Sequence, residues 1–556
     1  MPYMSGARAT VEALKANGVE LVLGMTGHTV MEVADELAKD NAIRAVYPRS
    51  ETNGTYMAYG YNKIKNAPKA VCLWHVAGMP HAAPGVITAY ADSVPMVVIG
   101  GNVVSEAVGK RDFQDTPSAE MYAPISKWSY RVQRTAEIPE TLNKAFALAG
   151  GGRPRPVVLD VPFDRFVEKA EFDAPRQAVR AAPPGGDPQA VRQACELLAS
   201  AHKPVILAGG GVVTAQAGDK LRQLAELLCV PVSSGRSASK GVLAEDHPLA
   251  LGTCGSFGWP IANEYLQEAD CWCAIGCTFS QIAMQDWSVK PPPTLIHIDI
   301  DPGEIGRIYR PTLAIIGDAG RVLDQMLEIL RPKAAELRHH PRLGEIKARK
   351  DKWLAELDAK TSTDAKPISP FRLMREINAV LPADGIVTGG AGNNGEFAVH
   401  ALKSLQPTSF LLSQKYSAVG CSFPIALGAK LAAPDRPVVC IEGDGGLHYN
   451  VTELATAVME KIAVVLVVVN DGHLNANRQI VNALFAGQQV WTRLNNPDWV
   501  ALAKACGANG ERVEDPAAIA PALRRGLAAG MPYVIDLIVD PDVRCPITGK
   551  LWKIRW

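Results

Sequence analysis

Short runs rich in Val and Ile, usually ending in glycine, recur along the whole chain, separated by stretches with helical periodicity. Strands this apolar are buried on both faces, and their alternation with helices predicts parallel sheets covered by helices. The runs fall into three blocks: LVLG, AVCLW, MVVIGG and VVLDV; then PVILAGGG and TLIHIDID; then GIVTGG, VVCIEGDGG, AVVLVVVND and YVIDLIV.

Two stretches interrupt this pattern. Residues 173–189 are rich in Pro and Ala, and residues 332–369 are rich in Lys and Glu. We interpret both as linkers, and a chain of 556 residues is too long for one hydrophobic core. The prediction is an α/β fold with three doubly wound parallel-sheet domains, over residues 1–172, 190–331 and 370–545, and a C-terminal tail over 546–556.

The composition restricts the class of partner. The chain is 47% hydrophobic and 21% charged, with a formal net charge of +0 and no basic block. A neutral chain without a basic block is not expected to bind nucleic acid or an anionic membrane by electrostatic attraction. The N-terminal segment lacks a signal-peptide pattern, and the longest apolar run, 462–469, is shorter than the roughly 20 residues that cross a bilayer. We therefore expect a cytoplasmic protein whose partner is a small molecule.

The eleven cysteines are scattered, and most lie within apolar runs. Cys271, Cys273 and Cys277 are closely spaced in DCWCAIGC, but no His and no paired CxxC motif is near them. We interpret this segment as a buried strand that runs into a turn, with reduced thiols in the core.

The motif with the clearest chemistry is IEGDGG, followed by a helix and a strand that ends VVNDGH. Asp444 ends one strand and Asp471, 27 residues later, ends the next, a placement that suits a hard cation with oxygen ligands. Gly443, Gly445 and Gly446 allow backbone amides to approach an anion. The alternative is an acidic turn in a generic sheet. The spacing and the NDG ending favour a bound diphosphate with its metal ion.

With this motif, the chain resembles the thiamine diphosphate-dependent enzyme superfamily nearly end to end, in the branch of acetolactate synthase, benzoylformate decarboxylase, benzaldehyde lyase and oxalyl-CoA decarboxylase. The segments that carry the resemblance include SETNGTYMAYGY, ADSVPMVVIGG, PISKWSYRV, IDIDPGEIGR and SAVGCSFPIALGAKLAAP. It implies thiamine diphosphate and Mg²⁺ as cofactors, with Asp444, Asp471 and the backbone carbonyl of His473 as metal ligands. Many relatives have Asn at the position of Asp471, and Asp is an equally good oxygen ligand.

The resemblance also places Glu51 against N1′ of the aminopyrimidine in the first domain. A carboxylate there favours the imino tautomer, whose N4′ removes the proton from thiazolium C2 to give a carbanion and later an enamine. Taken alone, Glu51 would be one surface glutamate. Its place in RSETNGTYMAYGY, where a strand end runs into a helix, favours the catalytic role.

Other cofactor contacts follow from the same resemblance. Val419, beside Ala418 in SAVGCSFP, takes the position of the bulky residue that bends the cofactor, although an ordinary core valine is the alternative. Gly392, Asn393 and Asn394, after GIVTGG, are candidate diphosphate contacts.

Some positions depart from particular relatives. Phe113 and Gln114 lie where aldehyde-releasing decarboxylases have a His–His pair, and Ile282 and Ile480 lie where acetolactate synthases have Arg and Trp. Without a cationic contact, a carboxylate acceptor would be poorly compensated in an apolar pocket. The pattern therefore disfavours a housekeeping acetolactate synthase.

Histidines supply the candidate proton donors. His28 and Gln114 are similar to active-site residues of benzaldehyde lyase, and His75 lies beside the position of a catalytic His in benzoylformate decarboxylase. His28, His75 and, more weakly, His81 are candidates for moving protons to and from substrate oxygen, because imidazole titrates near neutral pH. The alternative for each is a structural histidine.

The favoured function is a lyase or carboligase that acts on acyloins, aldehydes or 2-oxo acids. The alternatives are a 2-oxo acid decarboxylase or acetolactate synthase-like carboligase, a nicotinamide-dependent oxidoreductase built on Gly209–Gly211, and a non-catalytic homologue. FAD or ADP at that glycine turn is possible but not favoured, since the nearby segment GCTFSQI lacks an Arg. The resemblance implies a homodimer or homotetramer with shared active sites.

Overall fold

The computed structural model describes residues 2–334, 342–413, 415–485, 487 and 489–548. Three six-stranded sheets follow one another along the chain, and all strand pairs within them are parallel. Helices cover these sheets, which confirms the prediction of three α/β domains. The C-terminal tail predicted for 546–556 lies outside the described residues from 549 onward.

The first domain contains a six-stranded sheet of order β3-β2-β4-β5-β7-β6 and an antiparallel ribbon of β1 with β8. Its strands are β1 Tyr3–Ser5, β2 Leu21–Gly24, β3 Arg44–Val46, β4 Ala70–Trp74, β5 Met96–Asn102, β6 Trp128–Arg131, β7 Pro156–Pro162 and β8 Lys169–Glu171. Its helices are α1 Gly6–Ala16, α2 Met31–Asp40, α3 Glu51–Lys65, α4 Met79–Ala91, α5 Ser118–Tyr122, α6 Ile138–Gly150 and α7 Phe163–Val167.

The central domain has a sheet of order β11-β10-β9-β12-β13-β14. Its strands are β9 Pro204–Ala208, β10 Val232–Ser234, β11 Ala250–Thr253, β12 Cys271–Ile275, β13 Thr294–Asp299 and β14 Leu313–Ile316. Its helices are α8 Pro188–Ser200, α9 Gly210–Thr214, α10 Gly218–Leu228, α11 Pro260–Glu268 and α12 Ala319–Leu330. The Lys- and Glu-rich stretch that follows contains a helix, α13 Leu343–Thr361, which buries Trp353.

The third domain has a sheet of order β16-β15-β17-β18-β20-β19. Its strands are β15 Ile386–Gly389, β16 Phe410–Leu412, β17 Val438–Gly443, β18 Val465–Asn470, β19 Asn509–Val513 and β20 Tyr533–Ile538. Its helices are α14 Pro370–Val380, α15 Asn393–Ala401, α16 Ser422–Ala432, α17 Asp444–Leu447, α18 Glu453–Met459, α19 Asn475–Leu484, α20 Trp499–Ala505 and α21 Ile519–Ala528.

The strand orders place a crevice in each sheet. When the six parallel strands are renumbered within each domain, the first and third sheets share the order 2-1-3-4-6-5, whereas the central sheet has the order 3-2-1-4-5-6 of dinucleotide-binding folds. The direction in which successive strands are added to the sheet reverses between β2 and β4, between β9 and β12, and between β15 and β17. Ligands of open α/β sheets bind beyond the carboxyl ends of strands at such points.

The third domain shares a hydrophobic core with each of the other two. One cluster of buried side chains joins the first and third domains and includes Tyr56 and Phe423. Another joins the central and third domains and includes Trp272 and Phe397. The third sheet is therefore covered on both sides by the rest of the chain.

Two glycines determine how closely the first and third domains approach. Helix α3 crosses α16, and a Cβ on Gly60 would overlap the carbonyl oxygen of Ile425. In the reciprocal position, a Cβ on Gly428 would overlap the carbonyl oxygen of Met57. Backbone meets backbone at this crossing because neither helix carries a side chain there.

The cysteines lie as predicted for core residues. All eleven belong to the described part of the chain and are free thiols. Cys271 and Cys273 are buried within β12, and Cys277 is buried in the turn that follows, which confirms core packing of this segment. No helix in the described ranges is both long and apolar enough to cross a membrane.

A methyl group at the α3–α16 crossing should destabilise the protein. We expect Gly60→Ala to lower the free energy of unfolding by about 1–3 kcal/mol, because the new Cβ overlaps a backbone carbonyl that cannot move alone. The control is Gly344→Ala in α13, where a Cβ meets nothing within 4 Å. It should be neutral or slightly stabilising by helix propensity. Thermal unfolding of both variants checks this, and equal melting temperatures would contradict the close crossing.

A buried histidine at the junction of the domains should make stability depend on pH. His400 packs edge-on against Trp353 with ring centroids 4.9 Å apart, and its Nδ1 donates to the Phe257 carbonyl at 3.2 Å. Burial lowers the His400 pKa from 6.5 to about 4, so the folded state favours the neutral ring. The resulting contribution, about 3 kcal/mol, is complete above pH 6.5 and is lost as the pH falls towards 4.

The measurement is the melting temperature against pH for the wild-type protein, His400→Asn and, as control, His202→Asn at an exposed position. Relative to wild type, His400→Asn should lose part of the acid sensitivity between pH 6.5 and 4, while His202→Asn should retain it. Parallel curves for wild type and His400→Asn would exclude His400 as the source.

Candidate functional site

Two predicted histidines meet at the crevice of the first sheet. His28 follows β2 and His75 follows β4, and these two strands are hydrogen-bonded neighbours. The imidazole rings lie edge to face with centroids 4.8 Å apart. His28 is exposed and His75 is half-buried, so both can be reached from the crevice.

The His75 ring is held on several sides. Its Nδ1 lies 3.0 Å from the hydroxyl of Thr29, and a Cβ on Gly27 would overlap the ring. Burial and the neighbouring His28 lower the pKa of His75, whereas the nearby side chains of Gln114 and Glu51 act to raise it. The Gln114 residue has a φ of 67° and a buried Oε1, for which the described residues provide no hydrogen-bond partner within normal geometry. His75 therefore favours its neutral form in a pocket with a spare acceptor.

Glu51 is the first residue of α3, as predicted, and its side chain is 13% exposed. A carboxylate at this position is stabilised by the helix N-terminus. The close approach of α4 fixes its place, because a Cβ on Gly78 would overlap the Glu51 carboxyl group. The exposed ring of His81 lies alongside, with Nδ1 3.4 Å from Oε2 of Glu51.

The predicted pair of aspartates lies at the ends of adjacent strands of the third sheet. Asp444 follows β17 and Asp471 follows β18, and these strands are paired in parallel. Asp444 is 2% exposed, and its two oxygens accept hydrogen bonds from the amides of Gly445 and Gly472 at 2.9 and 2.8 Å. Oδ1 of Asp471 accepts from the amide of His473 at 2.9 Å.

The electrostatics of this pair favour a cation. Burial and the charge of Asp444 raise the pKa of Asp471 to about 7, and burial raises the pKa of Asp444 itself. Neither carboxylate forms an ion pair within 4.0 Å with any side chain of the described chain. A buried and a half-buried carboxylate side by side favour a proton or a cation between them, and oxygen ligands suit Mg²⁺.

Glycines surround the aspartates closely enough to form a cradle. A Cβ on Gly443 would overlap the Asn394 amide, and one on Gly445 would overlap the Leu474 side chain. Gly392 precedes α15 with a φ of 91°, which an L side chain rarely adopts. The buried Nδ2 of Asn393 has no hydrogen-bond partner among the described residues. Amide donors without acceptors beside a cation site fit a phosphate-bearing ligand.

Ala418 and Val419 lie in the loop that directly precedes α16. Nδ2 of Asn450 donates to the Gly420 carbonyl at 2.7 Å and fixes this loop. Val419 is 48% exposed and is therefore not an ordinary core valine within a single chain.

The structure thus collects the predicted residues into two groups. Glu51, His28, His75, His81 and Gln114 form the first-domain group. The third-domain group contains Gly392–Asn394, Ala418, Val419, Gly443–Gly446, Asp471 and His473. Among the described residues, no hydrogen bond or ion pair within the chain joins one group to the other.

Two residues around the aspartates and one beside His75 were missed by the sequence analysis. Asn496 donates from Nδ2 to Oδ2 of Asp444 at 2.7 Å. Glu442 is buried beneath Gly446, and its carboxylate accepts from the amide of Ser422 at 3.2 Å. Thr29 contacts His75. An acidic residue within the buried run VVCIEG was a signal for Glu442, whereas Asn496 and Thr29 reach their partners only through the fold.

A cleft that is partly open to solvent lies at the crevice of the central sheet. The ends of four strands line it, together with side chains of the other two domains: Gly209–Gly211, Gly276–Ser280, Ile298–Ile300, Gly317–Ala319, Arg153 and Lys415. These residues could hold a nucleotide, with cations near its phosphates. The prediction that FAD or ADP is possible here but not favoured stays a prediction.

Family models match all three domains. The N-terminal TPP binding domain of thiamine pyrophosphate enzymes matches residues 4–121, the central domain of these enzymes matches 191–326, and their C-terminal TPP binding domain matches 390–537.

Whole-chain relatives agree with these matches. The chain is 33% identical to the probable acetolactate synthase large subunit of Methanocaldococcus jannaschii, covering 99% of this chain and 95% of that protein. It is 32% identical to the acetolactate synthase isozyme 3 large subunit of Escherichia coli, and the match covers 93% of this chain and 91% of that protein. It is also 32% identical to the acetolactate synthase large subunit of Corynebacterium glutamicum, and the match covers 97% of this chain and 88% of that protein. The chain therefore belongs to the thiamine pyrophosphate enzyme family and is a thiamine diphosphate-dependent enzyme.

Proposed function

We propose that this enzyme is a Mg²⁺-dependent lyase or carboligase that breaks or makes a carbon–carbon bond beside a carbonyl group of acyloins, aldehydes or 2-oxo acids. The observation that carries the proposal is the pair of carboxylates at adjacent strand ends beside a glycine cradle, buried Asp444 and half-buried Asp471. This pair suits a cation that shares its coordination with a diphosphate.

The number of ligands supports joint binding of metal and cofactor. The described residues contain no group of three His, Cys, Asp or Glu side chains that could hold a metal ion by themselves. Asp444, Asp471 and the backbone carbonyl of His473 would supply three oxygens. Mg²⁺ takes six ligands, so diphosphate and water oxygens would complete the octahedron. The amides around Gly392–Asn394 and Gly443–Gly446 would bind the remaining phosphate oxygens.

Glu51 would control the pyrimidine end of the cofactor. Its carboxylate, at the N-terminus of α3, would hold a proton at N1′ of the aminopyrimidine. When bound, thiamine diphosphate would supply a nucleophilic carbon for reaction at a carbonyl group. Val419 would press on the cofactor and keep it bent, and Ala418 beside it would contact the cofactor.

The histidines would act on the substrate. His28 and His75 face each other at the mouth of the first-domain crevice, and Gln114 adds an acceptor beside His75. A substrate carbonyl that gains negative charge on its oxygen is stabilised by a nearby donor. His28 and His75 would provide or remove the proton at that oxygen.

A second candidate is acetolactate synthase-like carboligation of two 2-oxo acids. The similarity to acetolactate synthases favours it, whereas Ile282 and Ile480 disfavour it, because neither side chain can bind the carboxylate of an acceptor. An assay panel of 2-oxo acids, acyloins and aldehydes, read by mass spectrometry, separates the two. Formation of acetolactate from pyruvate with no conversion of acyloins or aldehydes would select the second candidate.

The active unit would be at least a homodimer, and a tetramer is compatible with it. Glu51 and Asp444 belong to different groups that one chain leaves unconnected, and apolar side chains near both groups are exposed. Phe113 is 77% exposed near the first group, and Tyr449 is 69% exposed near the second. A second copy would cover both faces and complete two equivalent sites by two-fold symmetry.

Removing the metal carboxylate should abolish cofactor binding. We expect Asp444→Ala to weaken thiamine diphosphate binding at least 100-fold in the presence of Mg²⁺, because the anion is held mainly through the cation. Calorimetry measures the affinity. Asp498→Ala, which removes only the cap of α20, is the control and should bind normally. An unchanged affinity in Asp444→Ala would remove Asp444 from the metal site.

A mixing experiment tests the shared site. Glu51→Gln keeps the shape but not the charge of the carboxylate and should slow turnover at least 100-fold, and Asp444→Ala should be inactive. Purified heterodimers of the two variants should regain activity at one site, built from the intact Glu51 of one chain and the intact Asp444 of the other. If isolated heterodimers stay inactive while wild-type dimers work, each site belongs to one chain.

A further inference from the structure

Thr29 is a buried residue whose hydroxyl connects His75 to the backbone. It follows His28 directly and has no exposed surface. Its Oγ1 lies 3.1 Å from the amide nitrogen of Val76 and 3.0 Å from Nδ1 of His75. These two contacts are the hydrogen bonds of this hydroxyl within the described chain.

The hydrogen atoms of this group can be assigned by elimination. The amide of Val76 can only donate, so it uses one lone pair of Oγ1. The hydroxyl hydrogen then needs an acceptor, and Nδ1 of His75 is the one in range. If Nδ1 were protonated instead, a buried hydroxyl hydrogen would have no partner, which is unfavourable. The lower-energy arrangement has Oγ1–H donating to an unprotonated Nδ1.

We propose that Thr29 is a positioning residue that fixes neutral His75 with its proton on Nε2, so that this ring presents a hydrogen-bond donor to the substrate oxygen. The assignment of the tautomer rests on geometry alone. Its role in turnover rests on the proposed function, in which His75 faces the substrate.

The surroundings of the ring support a fixed orientation. Gly27 leaves room for the ring on one side, where a Cβ would overlap it, and His28 packs edge-on against it. Rotating the imidazole by half a turn would place a carbon atom opposite Thr29 and break the hydrogen bond to Oγ1. The nitrogen that points away from Thr29 is therefore Nε2.

The donor assignment also agrees with the groups around His75. Burial and His28 favour the neutral ring of His75. The negative charge of Glu51 opposes them, because it favours the protonated ring. A neutral imidazole with Nε2–H is a donor and not a base. Thr29 would thus direct His75 to polarise an oxygen, leaving removal of protons to His28.

Nitrogen NMR of full-length protein labelled with ¹⁵N-histidine, with and without thiamine diphosphate and Mg²⁺, tests the assignment. Signals of His75 are identified by their loss in His75→Asn. We expect wild type and Thr29→Ser to carry the proton on Nε2, and Thr29→Val, which has the same shape without the hydroxyl, to shift towards Nδ1–H. A wild-type His75 protonated on Nδ1 overturns the proposal even if Thr29→Val does not fold, as does an unchanged tautomer in a folded Thr29→Val.

Kinetics separates this proposal from the proposed function. Thr29→Val should lower kcat roughly tenfold, with recovery in Thr29→Ser, while hydrogen–deuterium exchange at cofactor C2 stays at the wild-type rate. Slowed C2 exchange in Thr29→Val would show a structural effect on the cofactor site and overturn the positioning role. Normal turnover in His75→Ala would instead refute the catalytic role of His75 and leave the tautomer assignment standing.

Discussion

The close crossing of α3 and α16 is the contact on which the geometry of both groups of candidate residues depends. Gly60 and Gly428 allow the two backbones to touch, so the first and third domains are fixed to each other within one chain. Helix α3 begins with Glu51, and α16 begins at Ser422, whose amide is held by the carboxylate of Glu442. Glu442 in turn lies beneath Gly446 of the cradle. A shift at the crossing would therefore reach both groups of residues.

Sheet topology explains why the candidate residues collect where they do. In a parallel sheet, neighbouring strands end at the same edge, and the connections diverge where the strand order reverses. His28 and His75 follow β2 and β4 at that point of the first sheet, and Gly392–Asn394 and Asp444 follow β15 and β17 at the equivalent point of the third. The central sheet reverses between β9 and β12, where its cleft opens. The reversal of strand order thus accounts for the position of the candidate residues or cleft in all three sheets.

Burial gives these sites their chemical character. Low solvent exposure raises the pKa of Asp444 and Asp471 and lowers that of His75, so the two aspartates favour a shared proton or a cation between them, while His75 favours the neutral imidazole. Neutral imidazole has two tautomers, and a hydroxyl one residue from His28 selects between them. A cation site and a hydrogen-bond donor can therefore operate in one enzyme near neutral pH.

The sequence by itself determined the three parallel-sheet domains and the strands that end at Asp444 and Asp471, because long apolar runs and glycine-rich strand ends are local signals. The sequence also indicated Glu51 and His75, but only through its resemblance to a known enzyme family. The tertiary structure alone decided that Thr29 contacts His75, that Asn496 donates to Asp444 and that the third domain shares a core with both others. Such contacts join residues on different loops, and which loops meet depends on strand order, which no periodicity in the chain encodes.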